Sequence, residues 1–597
     1  MRRLLAVPLL AAFFCTTMAD AAPADQVFVN ARIYTADTAR PWASALAITD
    51  GRISAVGARE AVAGQIGPGT RLTDLHGAML MPGLIDSHAH PIAGGRQMSL
   101  VNLDGAPISF RDFRAFVDHA IFSRKALQGD RFVIVGVPPM IWSEDLSVFN
   151  APPYAGKAIL FAGADAHTGW ASQTLLRRLG IDKAALTAMP ETERNYYRTD
   201  ADGNPTGFAV ETGASRLFRA LPGRDGAYLP QWGRIAVRYY NSFGVTAVLD
   251  ANAGYVPEDG EALLKLYSGL AKTKQLTLHV SALLEARSTA ELPEIYRLRA
   301  KYSNTPDFRI VGVKLFADGI VDYPAQTAAT LKPYLNSGLR GDLKIAPDEM
   351  DRIFVDADKH DMLVHVHAIG DRAVEEALDG IAAARSADPN SHIPHTLAHL
   401  HLIAPKDVPR FQSLGAIASF QLFWAAVDKS EFEGIKPYLS PDVWNEQYAA
   451  YSVFKAGGTV AGGSDWPVST GSPWAAIAQA MTREGPYGVL GSDQRMPLEA
   501  MLQAYTLNAA HALRREDQIG SIAVGKEADL ILLRHDLRDL TPAEIANLRP
   551  EWTMMHGRIV WSSGYGPEHH HKRMDGHPSA RTSPQPRLKD DGTQPRP

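Results

Sequence analysis

The amino-acid sequence predicts an α/β fold: a (β/α)8 TIM-like barrel with insertions, plus a small β-sandwich domain built from both chain ends. Three observations support this prediction. The chain has 597 residues, which is long enough for more than one domain. Apolar strands alternate with helix-length segments through its middle, a pattern that favours a parallel sheet. Strand-turn-strand patterns occur near both ends, and each is too short to fold comfortably alone.

The two ends of the chain predict the sandwich, which comprises residues 23–80 together with residues 516–563. In the first part, the turn Asp50-Gly51 joins two apolar runs, which is a strong signal for a β-hairpin. The second part repeats the strand-turn-strand pattern in three runs, residues 528–533, 552–555 and 558–561. We therefore expect one β-sandwich from both ends, with a large domain inserted between them.

The barrel prediction covers residues 81–515. Its candidate strands are short apolar runs, residues 132–136, 158–161, 245–249, 276–280, 308–316, 363–367, 416–419 and 459–461. Helical segments such as residues 371–385 and 497–513 lie between strands. The stretch from about 95 to 234 is too long for one strand-helix unit, so we expect an insertion over the barrel mouth. A doubly wound open sheet is the alternative, but no Gly-x-Gly-x-x-Gly turn opens a helix to support it.

The termini differ from the rest of the chain. Residues 1–22 predict a signal peptide, because Arg2 and Arg3 precede an apolar run that is short for a bilayer span and ends in Ala19-Asp-Ala-Ala. An uncleaved membrane anchor is the alternative. We expect an exported protein, periplasmic or secreted, without membrane contact after cleavage. Residues 564–597 predict a disordered tail, whose three consecutive histidines (569–571) bind metal loosely or are simply solvated.

Composition excludes several kinds of chemistry. The 60 Lys and Arg residues against 65 Asp and Glu give a net charge of −5, without the basic surface that nucleic-acid binding requires. The only cysteine, Cys15, lies within the predicted signal peptide. A mature protein therefore cannot use disulfides, thiolate catalysis or cysteine-bound zinc. A small-molecule substrate is the expected partner, and a homo-oligomer remains open.

Side chains that can bind metal occur at the ends of five predicted strands. His88 and His90 alternate along one strand, so both project from the same face, although a lone His-x-His is weak evidence. Lys314 lies in an apolar strand, where a lysine is unusual unless it is paired or has lost its charge. The other three strand ends carry His367, His399 and Asp465. Five such ends together predict a metal centre at one end of the barrel.

These motifs resemble those of the amidohydrolase superfamily. Pro82-Gly-Leu-Ile-Asp-Ser-His-Ala-His90 is similar to the first metal motif of that superfamily. The resemblance narrows to amidohydrolase family 3, the YtcJ-like branch that includes N-substituted formamide deformylase, through Lys314-Leu-Phe-Ala-Asp-Gly319, His367-Ala-Ile-Gly-Asp371, His399 and Gly463-Ser-Asp-Trp-Pro467. Asp165-Ala-His167 and residues 520–529 also resemble family elements, so the likeness spans nearly all of the mature chain.

The resemblance implies one or two divalent metal ions per chain, expected to be zinc. The implied ligands are His88 and His90 with Asp465 for the first metal, His367 and His399 for the second, and Lys314 as a bridge. Lys314 would be N-carboxylated, which would turn a costly buried cation into an oxygen ligand. His365 and His401 share strand phase with the implied ligands but are expected to lie outside the ligand set, as outer partners or core residues.

The implied reaction is hydrolysis of a non-peptide, amide-type carbon–nitrogen bond by metal-activated hydroxide. Asp465 would act as general base and then as general acid. His167, Asp318 and Trp466 are candidate substrate contacts. The alternatives are hydrolysis of esters, lactones or phosphotriesters on the same scaffold, and a non-catalytic exported binding or regulatory protein. One departure bears on substrate preference, because the family commonly has Glu-His-Ala-Gln where this chain has Ala398-His-Leu-His401.

Overall fold

The structure is a computed structural model that describes residues 22–221, 229–445, 447–491 and 493–564. Nearly all of the predicted signal peptide and of the predicted disordered tail, with its three histidines, lies outside these ranges. Among the described residues, no helix combines the length and the apolar character that crossing a bilayer requires.

Eight parallel strands form the centre of the molecule. In chain order they are β1 (Leu84–Ala89), β2 (Val245–Asp250), β3 (His279–Glu285), β4 (Phe308–Phe316), β5 (Leu363–Ala368), β6 (Thr396–His399), β7 (Ile417–Phe420) and β8 (Thr459–Gly462). Each pairs with the next in an unbroken series from β1 to β8, and nearly all of their residues are buried. Buried on both faces and surrounded by helices, they confirm the predicted (β/α)8 barrel.

The first and last barrel strands meet through polar groups. The Ser87 hydroxyl donates to the Gly462 carbonyl oxygen at 2.9 Å, and the Ser464 N–H donates to Asp86 Oδ1 at 2.9 Å. Just beyond β8, the Asp465 N–H donates to the carbonyl oxygen of His88 at 2.7 Å. We call this junction the seam. It closes the barrel at the place where the first and the last predicted metal ligands lie.

Both chain ends build a two-sheet sandwich, as predicted. The six-stranded sheet, in spatial order, contains Arg558–Ser562, Trp552–Met555, Leu530–Leu533, Met79–Pro82, Arg32–Tyr34 and Trp42–Ala43. The four-stranded sheet contains Arg52–Gly57, Ala45–Thr49, Gln26–Val29 and Arg71–Asp74. A shared core that includes Leu46, Leu80 and Trp552 lies between them. Neither chain end could bury these side chains alone.

The insertion after β1 has a sheet of its own. Its strands are Leu127–Gln128, Arg131–Val137, Ile159–Gly163, Thr168–Ala171, Pro205–Val210 and Tyr197–Thr199, with Val101–Asn102 beside the second. Ile134 and Phe161 belong to one core, whereas their neighbours Val133 and Leu160 belong to another, so both faces of the sheet are covered. The apolar runs at residues 132–136 and 158–161 therefore form this sheet and not barrel strands. Trp232, near the predicted end of the insertion, already packs in the barrel core.

Helices join and cover these sheets. Those around the barrel and its loops are Pro91–Gln97, Leu229–Asn241, Val256–Asp259, Ala262–Lys272, Leu292–Tyr302, Pro347–Lys359, Asp371–Ala387, Val408–Leu414, Pro441–Asn445, Ala450–Lys455, Pro473–Thr482, Leu498–Ala504, Leu507–Ala512 and Pro542–Ala546. The insertion has Phe110–Phe122, Gln173–Arg178, Lys183–Ala188, Glu191–Arg194 and Glu211–Phe218, and the sandwich has Arg59–Ala63. Short 3-10 turns are Pro139–Ser143, Leu146–Asn150, Thr289–Glu291, Leu422–Trp424, Lys436–Tyr438 and Leu537–Asp539, Ser430–Ile435 is a π-helix, and Glu484–Gly485 pairs with Gly488–Val489.

Candidate metal centre

The six predicted ligands gather at the carboxyl ends of the barrel strands. They are His88 at the end of β1 and His90 just after it, Lys314 on β4, His367 on β5, His399 at the end of β6, and Asp465 after β8. All are buried except His90, whose side chain is 26% exposed. Parallel strands bring their carboxyl ends to one edge, so residues far apart in sequence become neighbours.

His88, His399 and Asp465 form the compact part of the centre. One ligand atom from each lies within 4.8 Å of the others. His88 Nε2 lies 3.4 Å from Asp465 Oδ1, and His399 Nδ1 lies 3.9 Å from Asp465 Oδ2. His90 Nε2 is 3.2 Å from Asp465 Oδ1. Two imidazoles from separate strands and one carboxylate thus face a common point, with a third imidazole beside it.

The atoms that face this point lack other partners. His88 Nε2, His399 Nδ1 and Asp465 Oδ1 are buried without a hydrogen-bond partner among the described residues. Burial holds the pKa of His88 and of His399 well below the ordinary value, and nearby positive charge adds to the effect. Neutral imidazoles offer lone pairs, and a lone pair or carboxylate oxygen buried without a donor is costly. This donor set fits a divalent metal ion bound by nitrogen and oxygen.

His367 brings a further ring nitrogen to the same region. Its ring centroid is 4.4 Å from that of His399, and its Nε2 donates to the carbonyl oxygen of Gly319 at 2.9 Å. Because a carbonyl oxygen only accepts, Nε2 carries the proton and Nδ1 keeps its lone pair. A ligating histidine is usually fixed in this way through its other ring nitrogen.

Lys314 is buried with an amine that is easily neutralised. The residue is 1% exposed, and no carboxylate of the described residues lies within ion-pair distance of its Nζ. Burial lowers the pKa of Lys314 to about 7, while the charges of Asp465 and Glu285 act in the opposite direction. Burial thus favours the neutral, nucleophilic form of this amine.

Two residues of the centre have a left-handed backbone. His399 has a φ of 74° and Asp465 a φ of 53°. Such values are uncommon outside glycine and cluster at functional sites, where the surrounding structure stabilises them. Here they occur where β6 ends and just after β8, at two of the residues that form the compact triplet.

His365 and His401 contact neighbours outside the compact triplet. His365 Nε2 lies 2.7 Å from His88 Nδ1, the ring nitrogen of His88 that faces away from Asp465. His401 hydrogen-bonds Gln447 through Nε2, and Tyr448 Oη lies 3.1 Å from its Nδ1. Both rings are fully buried. These positions suit residues that orient a ligand or fill the core, and their exclusion from the ligand set stays a prediction.

The three predicted substrate contacts lie in different surroundings. His167 reaches the centre from the insertion, with its ring centroid 5.3 Å from that of His367. Trp466 stacks on Tyr239 at 4.5 Å and is 5% exposed. Asp318 is fully buried, and its oxygens accept from the N–H groups of residues 329, 369 and 370. Asp318 therefore holds together the backbone of two loops, and a direct substrate contact by any of the three stays a prediction.

Glu211 and Gln421 were not predicted as site residues. Glu211 is buried at a left-handed φ of 51°, where it accepts from His167 Nδ1 at 3.0 Å, from Thr327 at 2.7 Å and from Lys344. It begins a helix in the insertion, so only the tertiary fold reveals these contacts. Gln421 directly follows β7, and its buried amide has no hydrogen-bond partner among the described residues. Its position directly after a barrel strand could have identified it from the sequence as a candidate site residue.

Comparison with known proteins adds to this geometry. The model of an amidohydrolase family matches residues 71–561. N-substituted formamide deformylase of Arthrobacter pascens is 24% identical over 579 residues, covering 89% of this chain and 97% of that protein. The exoenzymes regulatory protein AepA of Pectobacterium carotovorum subsp. carotovorum is 27% identical over 437 residues, covering 71% and 90%. An uncharacterized metal-dependent hydrolase from Pyrococcus horikoshii OT3 has a similar crystal structure, with a TM-score of 0.66 and 21% identity over 87% and 99% of the two chains.

Proposed function

The chain belongs to the amidohydrolase family, and from this premise we propose that it is a metal-dependent hydrolase of a non-peptide, amide-type carbon–nitrogen bond. One observation carries the proposal: His88 Nε2, His399 Nδ1 and Asp465 Oδ1 converge at the carboxyl ends of the barrel strands, buried and with no hydrogen-bond partner in the described part of the chain. Perturbed titratable groups in such a place are typical of an active site.

We assign the metal ligands as the sequence predicts. The proposed set is His88, His90 and Asp465 for one ion, His367 and His399 for a second, and Lys314 between them. The nitrogen-rich donor set without sulfur suits zinc and, less strongly, other divalent ions of the first transition series. A bound ion would supply an activated water and polarise the carbonyl oxygen of the substrate.

Asp465 is the proposed proton carrier. Burial raises its pKa, but the neighbouring His90 and His399 outweigh burial and bring the pKa below the ordinary value. The carboxylate is therefore ionised and can accept a proton from the attacking water. It can then return this proton to the leaving nitrogen, which must be protonated before it departs as an amine.

Lys314 is proposed to carry a carboxyl group. Its neutral Nζ attacks the carbon of CO2, an N–C bond forms, one C=O bond opens to a carboxylate, and the amine releases one proton. The product is a carbamate whose two oxygens can bridge two cations. It also replaces an ammonium that burial destabilises, since the Lys314 pKa is already lowered to about 7.

The insertion is proposed to contribute to substrate recognition through His167. Glu211 and Lys344 fix the orientation of this ring, and Nδ1 is engaged with Glu211. Its Nε2 is then the atom available to a substrate beside His367. Trp466, stacked on Tyr239, would supply an apolar wall. Loops and insertions at this face are where barrels of this kind vary their specificity.

A non-catalytic regulatory role is the second candidate, because a relative over 71% of the chain is named a regulatory protein. The six proposed ligand side chains are all present, which favours hydrolysis over loss of catalysis. Esters, lactones and phosphotriesters are alternative substrates for the same activated water.

Export is part of the proposal and rests on residues 1–22, nearly all of which lie outside the described ranges. Mass spectrometry of the protein from a periplasmic or culture fraction should find an N-terminus near residue 23. An intact Met1 in the protein that reaches those fractions would contradict signal cleavage.

The decisive experiment uses purified, zinc-loaded protein and a panel of N-substituted amides, lactams and esters. We expect an amide-type compound to be hydrolysed, with activity lost on chelation, restored by Zn²⁺, and abolished in Asp465→Ala. Hydrolysis at the wild-type rate by metal-free Asp465→Ala would refute the proposed mechanism. Hydrolysis of esters but of no amide would contradict the proposed substrate class and support the ester alternative.

A further inference from the structure

A second group of histidines and carboxylates lies at the opposite end of the barrel, where strands begin. We call His279, Asp307 and His556 the basal cluster. His279 is the first residue of β3, Asp307 directly precedes β4, and His556 lies between the sandwich strands Trp552–Met555 and Arg558–Ser562. One ligand atom from each of the three lies within 4.8 Å of the others. The basal cluster therefore connects the barrel to the sandwich.

Both imidazoles of the basal cluster converge on one carboxylate oxygen. Asp307 Oδ1 lies 3.0 Å from His279 Nδ1 and 2.9 Å from His556 Nε2. The two rings are nearly perpendicular, with an interplanar angle of 80° and centroids 5.0 Å apart. Two ring nitrogens and an oxygen thus face the same small volume from three directions.

One of these atoms is orphaned. His279 is 2% exposed, and its buried Nδ1 has no aligned hydrogen-bond partner among the residues that the structure describes, although Asp307 Oδ1 is close. A proton on this nitrogen would lack an aligned acceptor, at the usual cost of an unsatisfied buried donor. A lone pair at the same place would be satisfied by a cation. This atom favours a bound ion over hydrogen bonds alone.

Each imidazole is held from behind by a second carboxylate. His279 Nε2 lies 2.7 Å from Asp529 Oδ2, and His556 Nδ1 lies 2.9 Å from Glu527 Oε2. These carboxylates accept the N–H of the far ring nitrogens. His556 Nε2 donates to Asp307 Oδ1 at 2.9 Å, and a bound cation would replace this proton. Histidines that bind metal are commonly oriented by an outer carboxylate in this way.

Backbone conformation and charge support the same conclusion. Asp307 has a φ of 58° and His556 a φ of 49°, so two of the three residues are left-handed. The cluster and its outer partners contain three carboxylates, of which only Glu527 forms an ion pair with an arginine, Arg52, among the described residues. Arg515 lies near all three carboxylates and balances part of their charge, and a divalent ion that displaces the imidazole protons would balance the rest.

We propose that the basal cluster binds one divalent cation of the zinc type, through His279 Nδ1, Asp307 Oδ1 and His556 Nε2, and that this ion fastens the sandwich to the barrel. Two imidazoles and a carboxylate suit Zn²⁺ and Co²⁺, and they leave room for water as a further ligand. The site is separate from the proposed catalytic centre, and it does not depend on which reaction that centre performs.

Metal counting on the full-length protein tests the proposal. The protein is loaded with Zn²⁺, freed of excess metal by desalting, and analysed by plasma mass spectrometry. His556→Ala should hold one equivalent per chain less than the wild type. His511→Ala is the matched control, because the His511 side chain is also 38% exposed and pairs, within the described ranges, with a single carboxylate, that of Glu516 at 2.7 Å. It should keep the wild-type metal content.

A second variant and a second readout protect the test against a folding defect. Asp307→Asn is nearly isosteric and should also lose one equivalent. Chelation should lower the melting temperature of the wild type and of His511→Ala more than that of either basal variant, because an ion that binds only the folded state stabilises it. Equal metal content in the wild type, His556→Ala and Asp307→Asn would overturn the proposal and leave the basal cluster as a network of imidazolium–carboxylate pairs.

Discussion

Two histidine–aspartate triplets lie at opposite ends of the same barrel. At the carboxyl end lie His88, His399 and Asp465, which we call the catalytic triplet after their proposed role, and at the other end the basal cluster has the same composition. Both triplets keep their ligand atoms within 4.8 Å, and both have two residues with a left-handed backbone. Nevertheless the proposed roles differ, so the triplet itself does not decide what a site does.

The difference lies in the charges around each triplet. Around the catalytic triplet, the neighbours are further imidazoles and Lys314, and burial keeps the imidazole pKa values low. In the basal cluster, hydrogen bonds to Asp307 and Glu527 raise the pKa of His556 to about 10. The outer carboxylates of the basal cluster would neutralise a bound cation, whereas the imidazole-rich surroundings of the catalytic triplet would leave it electrophilic. Barrels generally use the carboxyl ends of their strands for catalysis and the opposite face for stability.

The sharpest test of this comparison replaces one aspartate by asparagine at each end of the barrel. Asp465→Asn should lower kcat by about 10²–10⁴-fold, because it removes the proposed general base. Asp307→Asn should act mainly on the melting temperature, with a far smaller change in kcat. Steady-state kinetics and thermal melts of both variants, with His511→Ala as a surface control, provide the measurement. Equal losses of kcat in the two aspartate variants would contradict the division between catalysis and stability.

Variants of Lys314 test whether the proposed metal centre requires a second carboxylate in addition to that of Asp465. Lys314→Ala should lose metal and reduce kcat/KM by at least about 10–100-fold, the scale that removal of an outer partner alone reaches. Lys314→Glu should recover part of both, since it restores a carboxylate at that place. Metal content and kinetics are measured side by side. Unchanged metal content in Lys314→Ala would argue against a bridging role.

A variant of Glu211 tests whether the insertion contributes to catalytic efficiency through His167. Glu211→Gln should reduce kcat/KM by about tenfold or more, because a hydrogen bond to a charged group contributes about 1.5–3 kcal/mol. The effect should vary between substrates of different shape if His167 contacts them. Glu516→Gln, which removes the partner of His511, serves as the control. A uniform loss for every substrate, together with a lower melting temperature, would indicate a purely structural role.

His401 should give the smallest effect on catalysis and a distinct effect on stability. Burial lowers the pKa of His401 to about 4. In the native state this ring therefore binds a proton only near pH 4, whereas in the unfolded state it binds one below about pH 6.5. Stability should therefore fall by about 2–3 kcal/mol as pH drops from 6.5 to 4. His401→Gln should flatten this acid limb in urea titrations at several pH values. A slope that does not change would show that other groups dominate.

Much of the fold was predictable because its signals are local. Residues 308–316 match β4 completely, since an apolar strand with β-branched residues needs little context. The strand predicted at residues 276–280 is observed at His279–Glu285, where Ser-Ala-Leu-Leu lacks the β-branched pattern. The helix predicted at residues 497–513 divides at Thr506, whose φ of −130° and ψ of −98° leave the helical region. Periodicity alone cannot reveal such a break.

The positions of proposed ligands such as His367 and Asp465 were predictable because they lie at the ends of barrel strands, which meet at one face of the barrel. The contacts of Glu211 were not, since they join an insertion helix to a barrel loop and exist only in three dimensions. The basal cluster was missed for the same reason. Its members lie at a strand start, before a strand and in a hairpin turn, where each one alone looks ordinary.

The seam between β1 and the loop after β8 has a consequence for biosynthesis. Its hydrogen bond from Ser464 to Asp86 spans 378 residues, and the proposed ligands His88 and Asp465 flank it. A nascent chain emerges from the ribosome with His88 early and Asp465 late. The catalytic centre therefore cannot assemble until more than three quarters of the polypeptide has been synthesised, and a chain released early cannot become a partly active hydrolase.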